Sequence, residues 1–285
     1  MNQHHSSHRV EKFRREMVNT IPRFPNDHAS KKQMEEAAIG NVLLDFVNWR
    51  ARFVGVRPRK VLMSEDATND PRWHENKYEI ETFLDKVVCG DDLSIYLSRQ
   101  TQSRGVRVSP REGGATADEK WSDKDFVLTT MGFHHFHLQP YRTKRGLGRK
   151  SNILLFAQVN RDEFLVVGLF DHSVFDRESR ERARLYEIND YWSMRGVSPG
   201  AVVVHNPIAT SAHSIHHVRY ASHCKRIIHE IDSKLDDSGF VASFFKGTRI
   251  PVPKRPQFEW CFQHLDLGVL EHKCQVFFSL QKGWN

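Results

Sequence analysis

The apolar positions of this 285-residue chain change period part-way along it, from helical spacing to short extended runs. Residues 1–29 carry little pattern: His4, His5 and His8 sit in a mixed-charge stretch broken by Pro22 and Pro25, which predicts a loose arm or a short helix before the domain. From Ser30, read as an N-cap with Gln33 closing a capping box, Ile39, Leu43, Phe46, Val47, Phe53 and Val54 recur at helical spacing. They predict one long amphipathic helix that ends at the basic turn Arg57-Pro58-Arg59-Lys60. Asp70-Pro71 is a good helix start, and Ile80, Phe83, Leu84, Val87 and Val88 form the apolar stripe of a second helix that stops at Gly90. A short third helix is predicted from Asp91 or Asp92 through Leu93, Tyr96 and Leu97. Gly, Pro, Ser and charge then mix without period over 104–120, which marks a long loop and the clearest internal boundary.

Beyond that loop, 133–138, 153–159 and 164–170 are β-rich apolar runs, and Asn160-Arg161-Asp162 suits a hairpin between the last two. A charged helix over 176–186, a strand at 201–204, a helix over 217–235, a Pro-rich stretch from Thr248 and a last strand at 275–280 complete the pattern. Val218, Ala221, Ile227, Ile228 and Ile231 are the burial candidates of that helix, and the acidic cluster Asp232, Asp236 and Asp237 at its end is expected in a solvated turn. The expected fold class is α+β: N-terminal helices, then a mainly antiparallel sheet with an additional C-terminal helix and strand. The domains follow as a flexible arm 1–29, a helical region and loop 30–120, and an α+β domain 121–285, the last two open to being one continuous domain.

Composition narrows the class. Cys89, Cys224, Cys261 and Cys274 are scattered and include no CxxC pair, so neither a disulfide scaffold nor a zinc ribbon is expected, only buried free thiols. No run approaches the roughly 18 apolar residues of a membrane span, and the polar start lacks the apolar core of a signal peptide; a cytoplasmic protein with no membrane partner is expected. The net charge of +7 favours an anionic partner, RNA, DNA or the ribosome surface.

The candidate chemistry centres on Gly132-Phe133-His134-His135-Phe136-His137-Leu138. On a strand His135 and His137 project to one face ~7 Å apart, while His134, Phe136 and Leu138 face the other way. Two such imidazoles can act as general base and general acid, or supply two nitrogens to one metal ion. His172, beside Asp171 where the run 164–170 ends, is the natural third member. The basic run Arg142, Lys144, Arg145, Arg149 and Lys150, with Tyr141 among them, is placed to hold a phosphodiester: Arg142 to offset phosphorane charge, the others to bind nucleic acid. A second group, His205, His213, His216 and His217 with Thr210, Ser211 and Ser214, lies before a helix whose N-terminus could bind an anion. Ser211 beside a histidine invites a serine-nucleophile reading, but no Gly-x-Ser-x-Gly elbow is present.

The order of helical lead-in, histidine strand, hydrophobic strand and second hydrophobic strand ending in His172 resembles the RelE and HigB messenger-RNA interferase core over about residues 91–175. That resemblance implies a small antiparallel sheet that cleaves RNA, commonly on the ribosome and without metal, with His135, His137, His172 and Arg142 at the matching positions. This chain is far longer than that family. His135-Phe136-His137-Leu138-Gln139 also looks like the pattern of the nucleotidyl transferase branch of the histidine-triad proteins, which would make His137 a nucleophile on phosphate. The whole chain looks like uncharacterised bacterial plasmid or prophage accessory proteins. The functional expectation is therefore an RNA-directed phosphodiesterase, a toxin-like or defence-associated endoribonuclease needing no cofactor, with RNA or the ribosome and an antitoxin or other protein as partners. Two alternatives stand beside it: a hydrolase in which His135, His137 and His172 hold zinc or manganese, and a non-catalytic nucleic-acid-binding or partner-binding module.

Overall fold

The computed structural model describes residues 7–108, 116–139, 152–195, 197–198, 201 and 207–285. In chain order these form α1 (His8–Thr20), β1 (Arg23–Phe24), α2 (His28–Glu36), α3 (Ile39–Arg50), β2 (Lys60–Met63), α4 (Glu65–Thr68), α5 (Pro71–Glu75) and α6 (Lys77–Cys89). Then come α7 (Arg99–Ser103), β3 (Val106–Arg107), α8 (Ala117–Trp121), α9 (Phe126–Met131), β4 (Phe133–His137), β5 (Ile153–Val159), β6 (Glu163–Asp171) and α10 (Arg180–Met194). The last elements are α11 (Ile215–Ile231), α12 (Ser238–Phe245), β7 (Phe258–Gln263), β8 (Asp266–Glu271) and β9 (Val276–Gln281). Single 3₁₀ turns cover Ser94–Tyr96, His172–Phe175 and Asp232–Asp236. The class is α+β, and no helix among the described residues is long and apolar enough to cross a membrane.

The chain divides into two compact units that interleave: 1–51, 104–123 and 215–284 in one, and 52–103, 124–214 and 285 in the other. The blocks expected over 30–120 and 121–285 are therefore each shared between units. The aperiodic stretch 104–120 lies where the chain passes from one unit to the other.

The unit containing the histidine strand is built on a four-stranded sheet of order β2-β6-β5-β4, in which β2 runs parallel to β6 and the other pairs are antiparallel. Both faces of this sheet are covered. Phe136, Leu155, Ala157, Phe164 and Leu169 meet Ile80, Phe83 and Val87 of α6 on one side. Phe133, Leu154, Phe156, Val167 and Phe170 meet Val127 of α9 and Leu185 and Ile188 of α10 on the other. Burial on both faces is why β5 reads as a continuous apolar run rather than an alternation. The β5–β6 hairpin forms at Asn160 as expected, with the Asn160 amide donating to the Glu163 carbonyl over 2.9 Å. The second predicted helix begins with Asp70 as N-cap and Pro71 in the first turn, as expected, but Asn76 divides it into α5 and α6. It ends at Gly90, whose φ of 77° is left-handed and where a Cβ would lie 2.4 Å from the Pro58 nitrogen. Val88, placed in the apolar stripe by spacing, is 53% exposed. The turn Arg57-Pro58-Arg59-Lys60 was expected to close a helix; Lys60 instead opens β2, the edge strand.

The other unit corrects two expectations. Of the arm or short helix expected over 1–29, it is a helix that forms from His8 onward, capped by the Ser7 hydroxyl, because Val10, Phe13, Met17 and Val18 fall on one buried stripe. The single long helix expected from Ser30 is two, α2 and α3, and Asp27 rather than Ser30 caps the first. Ala37 and Ala38 between them are extended, and the Arg14 guanidinium donates to the Glu35 and Ala37 carbonyls that a continuous helix would have engaged. The C-terminal strand expected at 275–280 is β9, third in the antiparallel sheet β7-β8-β9; β7, β8 and α12 were not anticipated. Asp232 is not in a solvated turn. It is buried, accepts the indole N–H of fully buried Trp260 over 2.8 Å, and pairs with Arg9 over 3.2 Å.

All four cysteines are free thiols. Burial pushes the Cys224 thiol up to about 12 and the Cys261 thiol up to about 11, whereas Cys89 is exposed at the end of α6. Since the thiolate is the reactive form, iodoacetamide at pH 8 should modify Cys89 first and Cys224 last. Peptide mass spectrometry over a time course checks this; early labelling of Cys224 would contradict the burial described.

Candidate functional site

Gly132, left-handed at φ 77°, ends α9 and turns the chain directly into β4, the edge strand opposite β2 in its sheet. In that strand His135 pairs with Phe156 and His137 with Leu154 of β5. The alternation is the one expected. His134 and Phe136 turn toward the α6 side, where Phe136 packs 5.1 Å from Phe83 and His134 is 4% exposed. His135 and His137 share the opposite face with Phe133.

The two histidines of that face have different surroundings. The His135 ring sits between Phe156, at 5.7 Å, and Phe175, at 5.2 Å, and its side chain is 12% exposed. Its Nδ1 is buried, makes no hydrogen bond among the described residues, and lies 3.9 Å from the Asp125 carboxylate. Asp125 is held in place by its own role as N-cap of α9, accepting the Leu128 amide over 3.0 Å.

His137, half-buried near the strand's end, faces His172, the two ring centroids 5.4 Å apart. The register explains the meeting. His137 lies opposite Leu154, Leu154 opposite Phe170, and His172 follows two residues later on β6's exit. The 3₁₀ turn that begins at His172 is fixed by Asp171, whose carboxylate accepts the Ser173 amide over 2.8 Å; this bond holds the Asp171 carboxyl below the usual carboxylate range. His172 is exposed, and Phe175 in the same turn lies 6.3 Å from it.

Of the residues expected to act, the structure therefore brings the His137 and His172 rings together, tilted by 35°, and sets His135 beside them between Phe156 and Phe175. Arg142, Lys144, Arg145, Arg149 and Lys150, with Tyr141, lie outside the described residues, as do His205 and most of the strand expected at 201–204. Among the described residues no three His, Cys, Asp or Glu side chains are grouped closely enough to hold a metal ion.

The described members of the second histidine group are divided between the two units. His213 is buried in a tight turn, its Nδ1 3.0 Å from the Ser211 hydroxyl across Ala212, which has a φ of 59°. His216 and His217 belong to the other unit, where their rings pack 4.4 and 5.2 Å from Trp284; burial, then the Arg219 charge, lowers the His216 pKa.

Asp125 and Phe175 were missed from sequence. An Asp at N-cap spacing before a short helix that runs straight into a histidine strand was a signal for the first; nothing local marked the second. No protein-family model matches this chain, and no curated protein or solved structure matches it, so its chemistry is read from its own residues.

Proposed function

We propose that this chain is an RNA-directed phosphodiesterase, an endoribonuclease of toxin or defence type, with His137 and His172 as its acid–base pair. The observation that carries this reading is the approach of their imidazoles to 5.4 Å, one from β4 and the other from the turn that follows β6. RNA cleavage by internal attack needs little more. One imidazole takes the 2′-hydroxyl proton, the 2′-oxygen bonds to phosphorus, and the P–O5′ bond breaks as the other imidazole protonates the departing 5′-oxygen. The products are a 2′,3′-cyclic phosphate and a 5′-hydroxyl. Two imidazoles this close can address two oxygens on one phosphorus, His137 from the shielded side and His172 from the solvent side.

Asp125 and His135 act as positioning residues in this reading, bracing the wall behind the pair. Arg142 offsets charge on the phosphorane, and Lys144, Arg145, Arg149 and Lys150 track the RNA backbone. The net charge of +7 supports an anionic substrate, free or on the ribosome, and a growth-arresting activity of this kind would call for an antitoxin partner. Four unpaired thiols fit the reducing cytoplasm.

The test is cleavage of a single-stranded RNA by the purified chain. Products with cyclic phosphate ends, and protection by a 2′-deoxy substitution at the cleaved position, are expected. Intact RNA, or equal cleavage of the deoxy-substituted strand, overturns the proposal.

A further inference from the structure

Beside the imidazole pair lies a surface that its chemistry does not use. Phe126, Phe175 and Tyr186 are 40%, 40% and 41% exposed. Isolated apolar residues on a surface are ordinary, but these three are joined by one side chain. The Arg182 guanidinium lies over the Phe126 ring at 4.9 Å and over the Tyr186 ring at 5.5 Å. It also donates to the Phe175 carbonyl and to the Tyr186 hydroxyl, each over 3.4 Å. The patch is continuous with the site: Phe175 is 5.2 Å from His135 and 6.3 Å from His172, and Phe126 follows Asp125 in the chain.

We infer that Phe126, Phe175, Tyr186 and Arg182 form a base-stacking platform that holds single-stranded RNA next to His137 and His172. This rests on the RNA-directed reading of that pair for the choice of nucleic acid. Two features favour a nucleobase over an apolar protein contact. Arg182 meets no carboxylate among the described residues, whereas its neighbour Arg184 is 2.9 Å from Asp70 and 3.6 Å from Glu181. Its positive charge is thus left to the phosphates of a bound strand. A guanidinium plane lying on aromatic rings is itself a stacking surface, and exposed rings interleaved with arginine suit unpaired bases, which offer a π-face whatever their identity. Duplex RNA hides those faces in its own stack, so the platform selects single strands.

The test uses the full chain carrying His137→Ala, so that the probe is not consumed. Fluorescence anisotropy compares a labelled single-stranded RNA of about ten nucleotides, within the usual span of such sites, with the same strand annealed to its complement. Tight binding of the single strand and weak binding of the duplex are expected. Adding Phe126→Ala with Tyr186→Ala should weaken single-strand binding roughly tenfold or more for each base unstacked. Arg182→Lys should weaken it while keeping the salt dependence, since charge stays and the plane is lost. Ultraviolet cross-linking of the parent to the RNA needs no altered fold; peptides containing Phe126 or Tyr186 should carry the adduct.

Equal affinity for duplex and single strand, unchanged affinity in the double variant, or cross-links confined to other peptides overturns the inference. Absence of RNA binding together with concentration-dependent self-association assigns the patch to a protein contact and overturns it as well. The two readings fail separately. Single-strand binding through Phe126 and Tyr186, together with no cleavage by the unaltered chain, removes the catalytic proposal and keeps the platform. Cleavage by a chain that keeps His137 and carries only Phe126→Ala and Tyr186→Ala, at the rate of the unaltered chain, removes the platform alone.

Discussion

Replacing His137 or His172 with alanine is expected to lower RNA cleavage by about 10²–10⁴-fold, the usual contribution of a positioned general acid or base. The fold should survive either change. His172 is exposed at the start of its turn and His137 is half-buried near the end of an edge strand, so neither fills the core. Because both act on one proton-transfer sequence, the double variant should be little slower than the slower single variant. The parent's rate should pass through a maximum with pH, one imidazole being needed neutral and the other charged, and each single variant should lose one limb of that profile. His135→Ala should behave differently. Its ring packs between Phe156 and Phe175, so its removal should lower the unfolding midpoint as well as the rate. Rates from gel-resolved time courses, set against circular-dichroism melts, separate these cases. A His137→Ala or His172→Ala chain that melts like the parent and cleaves at the parent rate sinks the assignment.

Strand alternation alone separates His135 and His137 from His134, and the structure keeps that separation. What alternation cannot show is that His137 lies opposite Leu154 and Leu154 opposite Phe170, the row that carries His137 to His172. Cross-strand register links positions 35 residues apart and leaves no local trace. The same divide runs through the fold. β5 and β6 were legible because burial on both faces makes each a continuous apolar run and Asn160-Arg161-Asp162 is a plain turn. β2 was not, because four residues beside Pro58 carry no period and their partner β6 begins about a hundred positions later. The break at Ala37–Ala38 was invisible for a related reason: alanine favours helix, and it is Arg14, from another helix, that takes the carbonyls. In α1 the stripe of Val10, Phe13, Met17 and Val18 was present in the sequence, but the charge and prolines around it left a short helix and a loose arm both open.

The largest stability loss from a single polar change in the histidine unit is expected at Asp70. Its side chain is 5% exposed and lies 2.7 Å from the Arg72 guanidinium and 2.9 Å from that of Arg184. It also caps α5, accepting the Arg72 amide over 3.0 Å. Arg184 in turn donates to the Leu169 carbonyl of β6 and lies over the Phe170 ring, while Arg72 reaches Glu181 at the start of α10. One carboxylate therefore fastens α5, α10 and the central sheet. Asp70→Ala leaves two guanidiniums, 21% and 27% exposed, without it and uncaps the helix, so a loss of about 3–5 kcal/mol is expected. Asp70→Asn keeps an acceptor for the cap and should lose less. Burial pushes the Asp70 carboxyl up, but the Arg72 hydrogen bonds and the Arg72 and Arg184 charges outweigh it and hold it below the usual carboxylate range. A carboxyl depressed by folding contributes stability that is fully present above its unfolded value, near 3.9, and drains away as pH falls through the folded one. Urea midpoints measured from about pH 5 down to about pH 3 should therefore fall more steeply for the parent than for Asp70→Asn. Parallel slopes, or an Asp70→Ala chain within about 1 kcal/mol of the parent, would show that the two arginines do not depend on this carboxylate.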